Sequence, residues 1–404
     1  MKKSKLIFLP LLLLGILSSC SNGEGNGSIN IVIWEDESNV EMVKVLTDEY
    51  ITHYKKTYPD AKVPNIIFEN QTEKSAIEKM ATVSATGNGP DIAAVTHDTI
   101  VSGVADKLIA PALFDQALLY RMSEDAINAV TVDETIYGYP ITAESVTVLY
   151  DKTKINASDL VSFEAFKATG KNLACMMTDD DGGHYTWSLY TDSVLFGAKG
   201  NDKNSINIGT PQSVSNVVEF YNKFTDSVNS NSPEMGVSLV VNGTDNVVGL
   251  VSSPFILSSM KNALGDKLGI AKLPTINGVE MRPFSGYKSY VVSRYSKNGV
   301  IAQDIANYIT SYDAQAWRLH SAGYLPACPL DATEDISEMV DSSPEALVFA
   351  ESLSLSMVMP SISQMANFWR PMNNAASYFW NNKGTLTSND VKIKLDEVTQ
   401  TLKG

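Results

Sequence analysis

Strands and helices alternate in the first hundred residues, and this order restricts the fold more than any other feature of the sequence. Residues 30–34 form an apolar, β-branched run typical of a strand, and apolar residues then recur at helical spacing until Pro59. Residues 66–68 and 90–95 predict two further strands, with an amphipathic helix over 76–83 between them. Strand–helix–strand units connect by right-handed crossovers, so this region predicts a parallel α/β sheet.

Polar residues follow two of these strands. Asp36 comes after the first strand, and His97 and Asp98 end the third. Ligands of open α/β sheets bind outside the carboxyl ends of the strands, so Asp36 and Asp98 are candidate binding residues. Asp98 can also cap a helix starting at Thr99, and the two roles are compatible.

The length and charge of the chain limit its architecture and partners. With 404 residues it is too long for one ordinary core, so we expect two domains. It carries 31 basic against 46 acidic residues, a net charge of −15, which argues against nucleic acid as a partner. Its His and Cys residues show no metal-ligand spacing and it has no phosphate-binding loop, so we expect no metal or other cofactor.

The first twenty residues have the layout of an export signal. A basic segment, residues 1–5, precedes an apolar segment, residues 6–17, and Ser18-Ser19-Cys20 resembles the cleavage motif of bacterial lipoproteins. We therefore predict a signal peptide over 1–19, lipidation of Cys20, and a flexible tether over 20–28. The anchor would hold the protein at the outer face of the cell membrane. The alternative is a plain signal peptide with a chance cysteine.

Two other cysteines, Cys175 and Cys328, lie in apolar surroundings far apart in the sequence. Two buried free thiols are favoured over a disulfide, because the cysteines are expected in different lobes.

Several segments together resemble a known family. They are residues 31–34, 85–92, 96–98, 138–152, 185–187, 253–255, 283–286 and 359–369. In this order they resemble the family 1 extracellular solute-binding proteins of ABC sugar importers, of the maltose/maltodextrin-binding type. The resemblance implies an α/β, two-lobed periplasmic-binding-protein fold (type II), in which each lobe is a mostly parallel sheet flanked by helices. Three chain segments would form the hinge. The N-terminal lobe would comprise 29–142 plus 287–341, and the C-terminal lobe 143–286 plus 342–404.

The resemblance also implies a sugar site between the lobes. Sugars present hydroxyls on their rim and C–H groups on their faces, so they are bound by acceptor groups around flat aromatic rings. The candidate ligand-binding residues are Asp36, Asp98, Glu144, Tyr185, Phe255, Tyr287, Trp369 and Arg370. Asp98, Glu144 and Trp369 match the family in type, whereas Phe255 replaces a Trp.

Other positions depart from the family pattern. His184 replaces a stacking Tyr, for which the neighbouring Tyr185 is the candidate substitute. Val95 and Thr99 replace two large side chains, so we expect long linear α-glucans to bind poorly or in a shifted register.

Several of these candidates have a structural alternative. Glu144 could pair with a basic group between the lobes, Trp369 could belong to the core, and Arg370 could form an ion pair at the rim. Trp187 and Trp317 are assigned to packing.

The favoured function is that of a monomeric, non-catalytic binding protein that captures a sugar or oligosaccharide and delivers it to an ABC transporter permease. Two alternatives remain. A secreted glycan hydrolase could use two of the carboxylates Asp36, Asp98 and Glu144. A surface carbohydrate sensor or adhesin could present the same cleft to another protein.

Overall fold

The computed structural model describes residues 28–178 and 181–403, which form an α/β protein. The strands are β1 (Asn30–Glu35), β2 (Asn65–Asn70), β3 (Ile92–Thr96), β4 (Thr131–Val132), β5 (Thr135–Ile136), β6 (Tyr139–Ser145), β7 (Thr147–Asp151), β8 (Asn172–Ala174), β9 (Val194–Leu195), β10 (Ile206–Asn207), β11 (Val228–Asn229), β12 (Val247–Ser252), β13 (Leu268–Ala271), β14 (Phe284–Val292), β15 (Leu325–Pro326) and β16 (Met357–Val358).

Most helices lie on the faces of two large sheets. They are α1 (Glu37–Thr57), α2 (Ala76–Val83), α3 (Ile100–Ala105), α4 (Asp115–Arg121), α5 (Glu124–Ala129), α6 (Phe163–Ala168), α7 (Gly182–Thr186), α8 (Pro211–Lys223), α9 (Pro233–Asn242), α10 (Leu257–Leu264), α11 (Gly299–Tyr308), α12 (Tyr312–Ala322), α13 (Glu334–Ser342), α14 (Pro344–Leu355), α15 (Trp369–Asn381) and α16 (Ser388–Lys403).

The first sheet has the order β15-β6-β14-β3-β1-β2, and β16 pairs with β14. β1 runs parallel to β2 and β3, as the strand–helix alternation predicts. β14 is antiparallel to both of its long neighbours, β3 and β6, so this sheet is mixed rather than mostly parallel. The reason is that β14 enters the sheet from the other lobe and not through a crossover helix.

The second sheet has the order β11-β8-β12-β7-β13. β8 is parallel to β11 and β12, whereas β7 is antiparallel to β12 and β13. It is therefore also mixed. The predicted α/β architecture with two lobes is confirmed, and the expectation of mostly parallel sheets is wrong for both.

The chain crosses between the lobes three times, and the three crossing segments lie side by side. β6 of the first sheet and β7 of the second are separated by Val146 alone. Ser285, near the start of β14, pairs with Ser145 of β6 and with Val358 of β16. These three strands form the connection between the lobes.

The predicted third boundary, at 341/342, lies too early in the chain. α14 packs on β6 and β15 of the first sheet as well as on β13 of the second. The chain then returns to the first sheet as β16 before it continues into α15. The last passage to the second lobe therefore follows Val358. The predicted boundary rests on the resemblance to the family, and Pro344 next to it proves to be the first residue of α14.

Helix α1 shows how the sequence fixes the cleft edge of the first lobe. Asp36 is its N-cap and accepts a hydrogen bond from the Ser38 N–H at 3.0 Å. Val43, Leu46, Tyr50 and Tyr54 are buried, as their spacing predicts, and the helix ends at Thr57. The cap keeps Asp36 at the carboxyl end of β1.

Both described cysteines are buried free thiols, as predicted. Burial raises the pKa of the Cys175 and Cys328 thiols to about 12. The signal segment, Cys20 and most of the tether lie outside the described residues. Within the described part of the chain, no helix has the length and apolar character needed to cross a membrane.

Candidate functional site

Carboxylates gather around one lysine at the edge of the first sheet. The Lys288 ammonium on β14 lies 3.1 Å from Glu73 Oε1 and 3.4 Å from Glu144 Oε1. The two carboxylates raise the pKa of Lys288 above its ordinary value despite burial, which alone would lower it. Tyr324 adjoins this group, because the Lys288 ammonium lies 5.8 Å from the centre of its ring. We call Glu73, Glu144, Lys288 and Tyr324 the first-lobe cluster.

Sequence reasoning found only Glu144 among these residues. The pairing of Glu144 with a basic group was anticipated, but the partner lies on the same lobe and not across the hinge. Lys288 is the only charged residue of a strand that is otherwise uncharged, residues 284–292, and this is the signal that could have identified it. Glu73 and Tyr324 lie on connecting segments, where no pattern marks them.

Asp36 and Glu35 lie beside the first-lobe cluster. Asp36 is half-buried, and its carboxylate also accepts a hydrogen bond from the Ser38 hydroxyl at 2.7 Å. Glu35 is 2% exposed, and its carboxylate accepts hydrogen bonds from the Tyr290 hydroxyl at 2.6 Å and from the Asp36 N–H at 3.0 Å. Burial raises the pKa of Glu35 to about 7, and these hydrogen bonds and the positive charge of Arg318 oppose the rise.

Asp98 lies in a short turn of 3₁₀ helix, residues 97–99, directly after β3. The predicted capping role is wrong, because α3 begins at Ile100 and its N-cap is Thr99. The Asp98 carboxylate is half-buried and makes no hydrogen bond to a described residue. It faces the second lobe. Burial lowers the pKa of His184 on that lobe, while the nearby carboxylates of Asp181 and Asp98 oppose this effect.

Aromatic rings on the second lobe lie opposite these acceptors. Trp369 is the first residue of α15, and it is partly exposed. Its ring centre lies 6.3 Å from that of His184 and 6.2 Å from that of Phe284. Phe284 in turn stacks on the fully buried Trp187, with 4.6 Å between ring centres and 6° between planes. A packed aromatic layer thus supports the Trp369 and His184 rings from below, and the assignment of Trp187 to packing is confirmed.

The second tryptophan assigned to packing is confirmed as well. The partly buried Trp317 on α12 donates a hydrogen bond from its indole N–H to the Met42 carbonyl of α1 at 3.4 Å.

Two predicted site residues lie in the core instead. Tyr185 is 6% exposed and faces an internal cavity of the second lobe that Cys175 also lines. Tyr287 is 4% exposed and packs edge-to-face against His97. Neighbouring helical residues point about 100° apart, so α7 directs Tyr185 inward and leaves His184 at the cleft. The expectation that Tyr185 substitutes for a cleft tyrosine is therefore wrong.

The two other predicted residues are exposed. Phe255 is 44% exposed in the turn that follows β12, as its position at a strand tip predicts. Arg370 is exposed beside Trp369 and forms no ion pair with a described carboxylate. The rim ion pair that was the alternative to a binding role for Arg370 is thus not formed with any acidic residue that the structure describes.

Two exposed ion pairs connect the lobes. The Lys74 ammonium lies 3.7 Å from Asp181 Oδ1, and the Lys199 ammonium lies 3.0 Å from Glu124 Oε1. Each pair joins a residue of one lobe to a residue of the other. The cleft between the lobes is therefore narrow enough for side chains to meet across it.

His97 fixes the hinge next to this cleft. Its Nδ1 accepts a hydrogen bond from the Tyr287 backbone N–H at 3.2 Å, so the proton of the neutral ring is on Nε2. That Nε2 donates to the Met359 carbonyl at 2.9 Å. The imidazole thereby ties β14 to the chain segment that continues into the second lobe. His97 has a structural role, while its neighbour Asp98 is left free for the cleft.

The chain is similar in sequence to known proteins. The sequence pattern of the family described as bacterial extracellular solute-binding protein matches residues 49–346. The chain is 25% identical to the galactooligosaccharide-binding protein of Bacillus subtilis (strain 168), across 96% of this chain and 91% of the relative. It is 21% identical to a maltooligosaccharide ABC transporter solute-binding lipoprotein of Streptococcus pneumoniae, across 83% of each chain.

Solved structures show the same fold. The maltodextrin binding protein MalE1 from L. casei BL23, without ligand, superposes with a TM-score of 0.78 at 20% identity, covering 94% of this chain and 100% of that one. A cyclo/maltodextrin-binding protein complexed with maltotetraose superposes with a TM-score of 0.73 at 22% identity, covering 94% of this chain and 98% of that one. The match to the family covers well over half of the chain, and the chain therefore belongs to the family of bacterial extracellular solute-binding proteins.

Proposed function

We propose that this protein is the lipid-anchored, monomeric receptor of an ABC importer, which captures an oligosaccharide between its lobes and delivers it to the permease. The observation that carries the proposal is that aromatic rings on one side of the cleft lie opposite hydrogen-bond acceptors on the other. Trp369 and His184 offer ring faces on the second lobe, and Asp98 and Glu144 offer acceptors on the first. This is the chemistry that sugar C–H faces and hydroxyls require. The same residues need no cofactor to act in this way, and we propose no catalytic step.

We further propose that the ligand is a galacto-oligosaccharide rather than a maltodextrin. The relative that is named for galacto-oligosaccharides has the higher identity of the two sequence relatives compared above. On the first lobe, Val95 is fully buried and the Thr99 hydroxyl donates to the Thr96 carbonyl at 2.8 Å. Neither residue offers a ring or a charge to a second sugar unit. A long α-glucan would therefore lack a stacking partner at this position.

Titration calorimetry against a panel of neutral tetrasaccharides tests this function. We expect galactotetraose to bind with a dissociation constant of about 1 μM or tighter, and maltotetraose to bind at least about tenfold more weakly. Tight maltotetraose binding would reject the proposed selectivity. If no neutral sugar binds, the capture function itself is wrong. Mass spectrometry of the incubated sugars covers the hydrolase alternative, since shortened products would show catalysis.

The lipid anchor is tested by the substitution Cys20→Ala in the producing cell. We expect the variant to accumulate as unprocessed precursor without incorporated fatty acid, because the cysteine thiol is the acylated group in the predicted motif. Metabolic labelling with an alkyne fatty acid is the measurement. Cys175→Ala is the matched control, since its buried thiol plays no part in anchoring, and it should label like the wild type. Normal labelling of the Cys20→Ala protein would show that the motif has been misread.

A further inference from the structure

Lys288 holds two carboxylates that come from distant parts of the chain. Glu73 follows β2, Glu144 lies near the end of β6, and Lys288 lies between them on β14. The side chain of Lys288 is 12% exposed, while those of Glu73 and Glu144 are 11% and 18% exposed. An ion pair that is this well shielded from water has a more defined geometry than an exposed one, in which two long side chains move freely.

In each carboxylate, the lysine contacts only one of the two oxygen atoms. The lysine contacts the Oε1 atom of both Glu73 and Glu144. Neither Oε2 atom accepts a hydrogen bond from another residue among those described, although a carboxylate can accept about four. These oxygen atoms are mostly shielded from water and have no described hydrogen-bond partner. A ligand that donates hydrogen bonds to them therefore gains binding free energy. Adjacent hydroxyls of a sugar ring are such donors.

We propose that Glu73 is a further sugar-binding residue and that Lys288 is a positioning residue, which fixes Glu73 and Glu144 so that their Oε2 atoms accept hydrogen bonds from neighbouring hydroxyls of one sugar unit. The inference rests on the proposed function. Without the ammonium, the two carboxylates would repel each other, and the negative charge of Asp36 nearby would add to the repulsion. The pair would then separate and lose its alignment toward the ligand.

The alternative role for Lys288 is structural, since the same ion pairs connect β14 to the segments around it. The two roles differ in what a substitution changes. Loss of a structural contact lowers the stability of the fold, but folded protein still binds with wild-type affinity. Loss of a positioning contact weakens binding even where the protein is fully folded, and its effect on affinity is coupled to that of Glu73.

The test is calorimetric titration with galactotetraose and maltotetraose of wild type, Lys288→Met, Lys288→Arg, Glu73→Gln and the double variant Glu73→Gln/Lys288→Met. Urea unfolding of each protein measures stability separately. Lys272→Met is the matched control. The Lys272 ammonium also lies between two carboxylates, 3.5 Å from Glu280 and 3.8 Å from Glu351, and it is more exposed.

We expect Lys288→Met and Glu73→Gln each to weaken binding by about tenfold or more, because the first removes the charge that aligns the acceptors and the second removes a charged acceptor. Lys288→Arg should stay within about threefold of wild type, since the guanidinium also reaches two carboxylates. The double variant should bind only slightly more weakly than Lys288→Met, and Lys272→Met should bind like the wild type.

Wild-type affinity in folded Lys288→Met or in Glu73→Gln would overturn the inference while leaving the proposed function intact. If Lys288→Met fails to fold, Glu73→Gln decides the outcome, because it removes a charge without leaving an unpaired lysine. If wild type binds neither these two sugars nor any other neutral sugar of the panel, the proposed function fails and the inference fails with it.

Discussion

Replacing Trp369 by Ala should weaken oligosaccharide binding on the order of fiftyfold, because the sugar loses its principal stacking surface. The ring is partly exposed at the start of α15, and the layer of Phe284 and Trp187 beneath it holds it in place. Covering about 100 Å² of apolar sugar and ring surface contributes roughly 2.5 kcal/mol to binding. The variant would also leave a gap beside the ligand, which adds to the loss.

Calorimetry gives the affinity, and circular dichroism verifies that the variant is folded. Trp380→Ala is the control, because this tryptophan lies on the same helix and the Lys383 ammonium covers its ring at 3.8 Å. Its loss should leave sugar affinity unchanged. Folded Trp369→Ala that binds as tightly as wild type would mean that Trp369 is a core residue and that the cleft lies elsewhere.

Replacing Glu35 by Gln should remove a pH dependence of about 3 kcal/mol from the free energy of unfolding, at about 1.36 kcal/mol for each pKa unit. Burial raises the pKa of Glu35 from 4.5 to about 7, so in this window the folded protein binds more protons than the unfolded chain. Its contribution to stability is complete below pH 4.5 and is lost as the pH rises to about 7. Gln can still accept from the Asp36 N–H, but it carries no charge.

Urea unfolding of both proteins at about pH 4 and about pH 8 measures this effect. Relative to Glu35→Gln, the wild type should lose about 3 kcal/mol of stability between these two values. Glu41→Gln, at an exposed position on α1, controls for the loss of one negative charge. Its free energy of unfolding should change with pH in the same way as that of the wild type. Parallel curves for wild type and Glu35→Gln would mean that burial does not shift the pKa of Glu35 from its ordinary value of 4.5 in the folded protein.

Local sequence patterns account for much of the fold. The helix over 76–83 is observed with the predicted bounds, and the first three strands lie within about two residues of their predicted ends. These elements depend on apolar spacing and on breaks such as Pro59, which act within one turn of helix or one strand. The direction of β14 was not predictable in this way, because it depends on where the chain re-enters the first sheet.

The site was harder to predict than the fold. Asp36, Asp98 and Trp369 lie at element ends, which the sequence marks, and all three are partly exposed in the structure. The choice between His184 and Tyr185 depended on the orientation of a five-residue helix, α7, which no pattern of that length determines. Three further residues, Lys288, Glu73 and Tyr324, are far apart in the sequence and come together only in the folded protein. A single sequence gives no information about such contacts.

The placement of β14 also has a consequence for the time course of folding. This strand lies between β3 and β6, which precede it by well over a hundred residues, so these two strands cannot join into one sheet until β14 has been synthesised. Contacts so distant in sequence form slowly, because a long loop must close before they contribute. A chain that emerges from the ribosome therefore stays without a finished N-terminal domain for most of its synthesis. For a family that works outside the cell, this delay gives the export machinery time to thread the polypeptide while it is still unfolded.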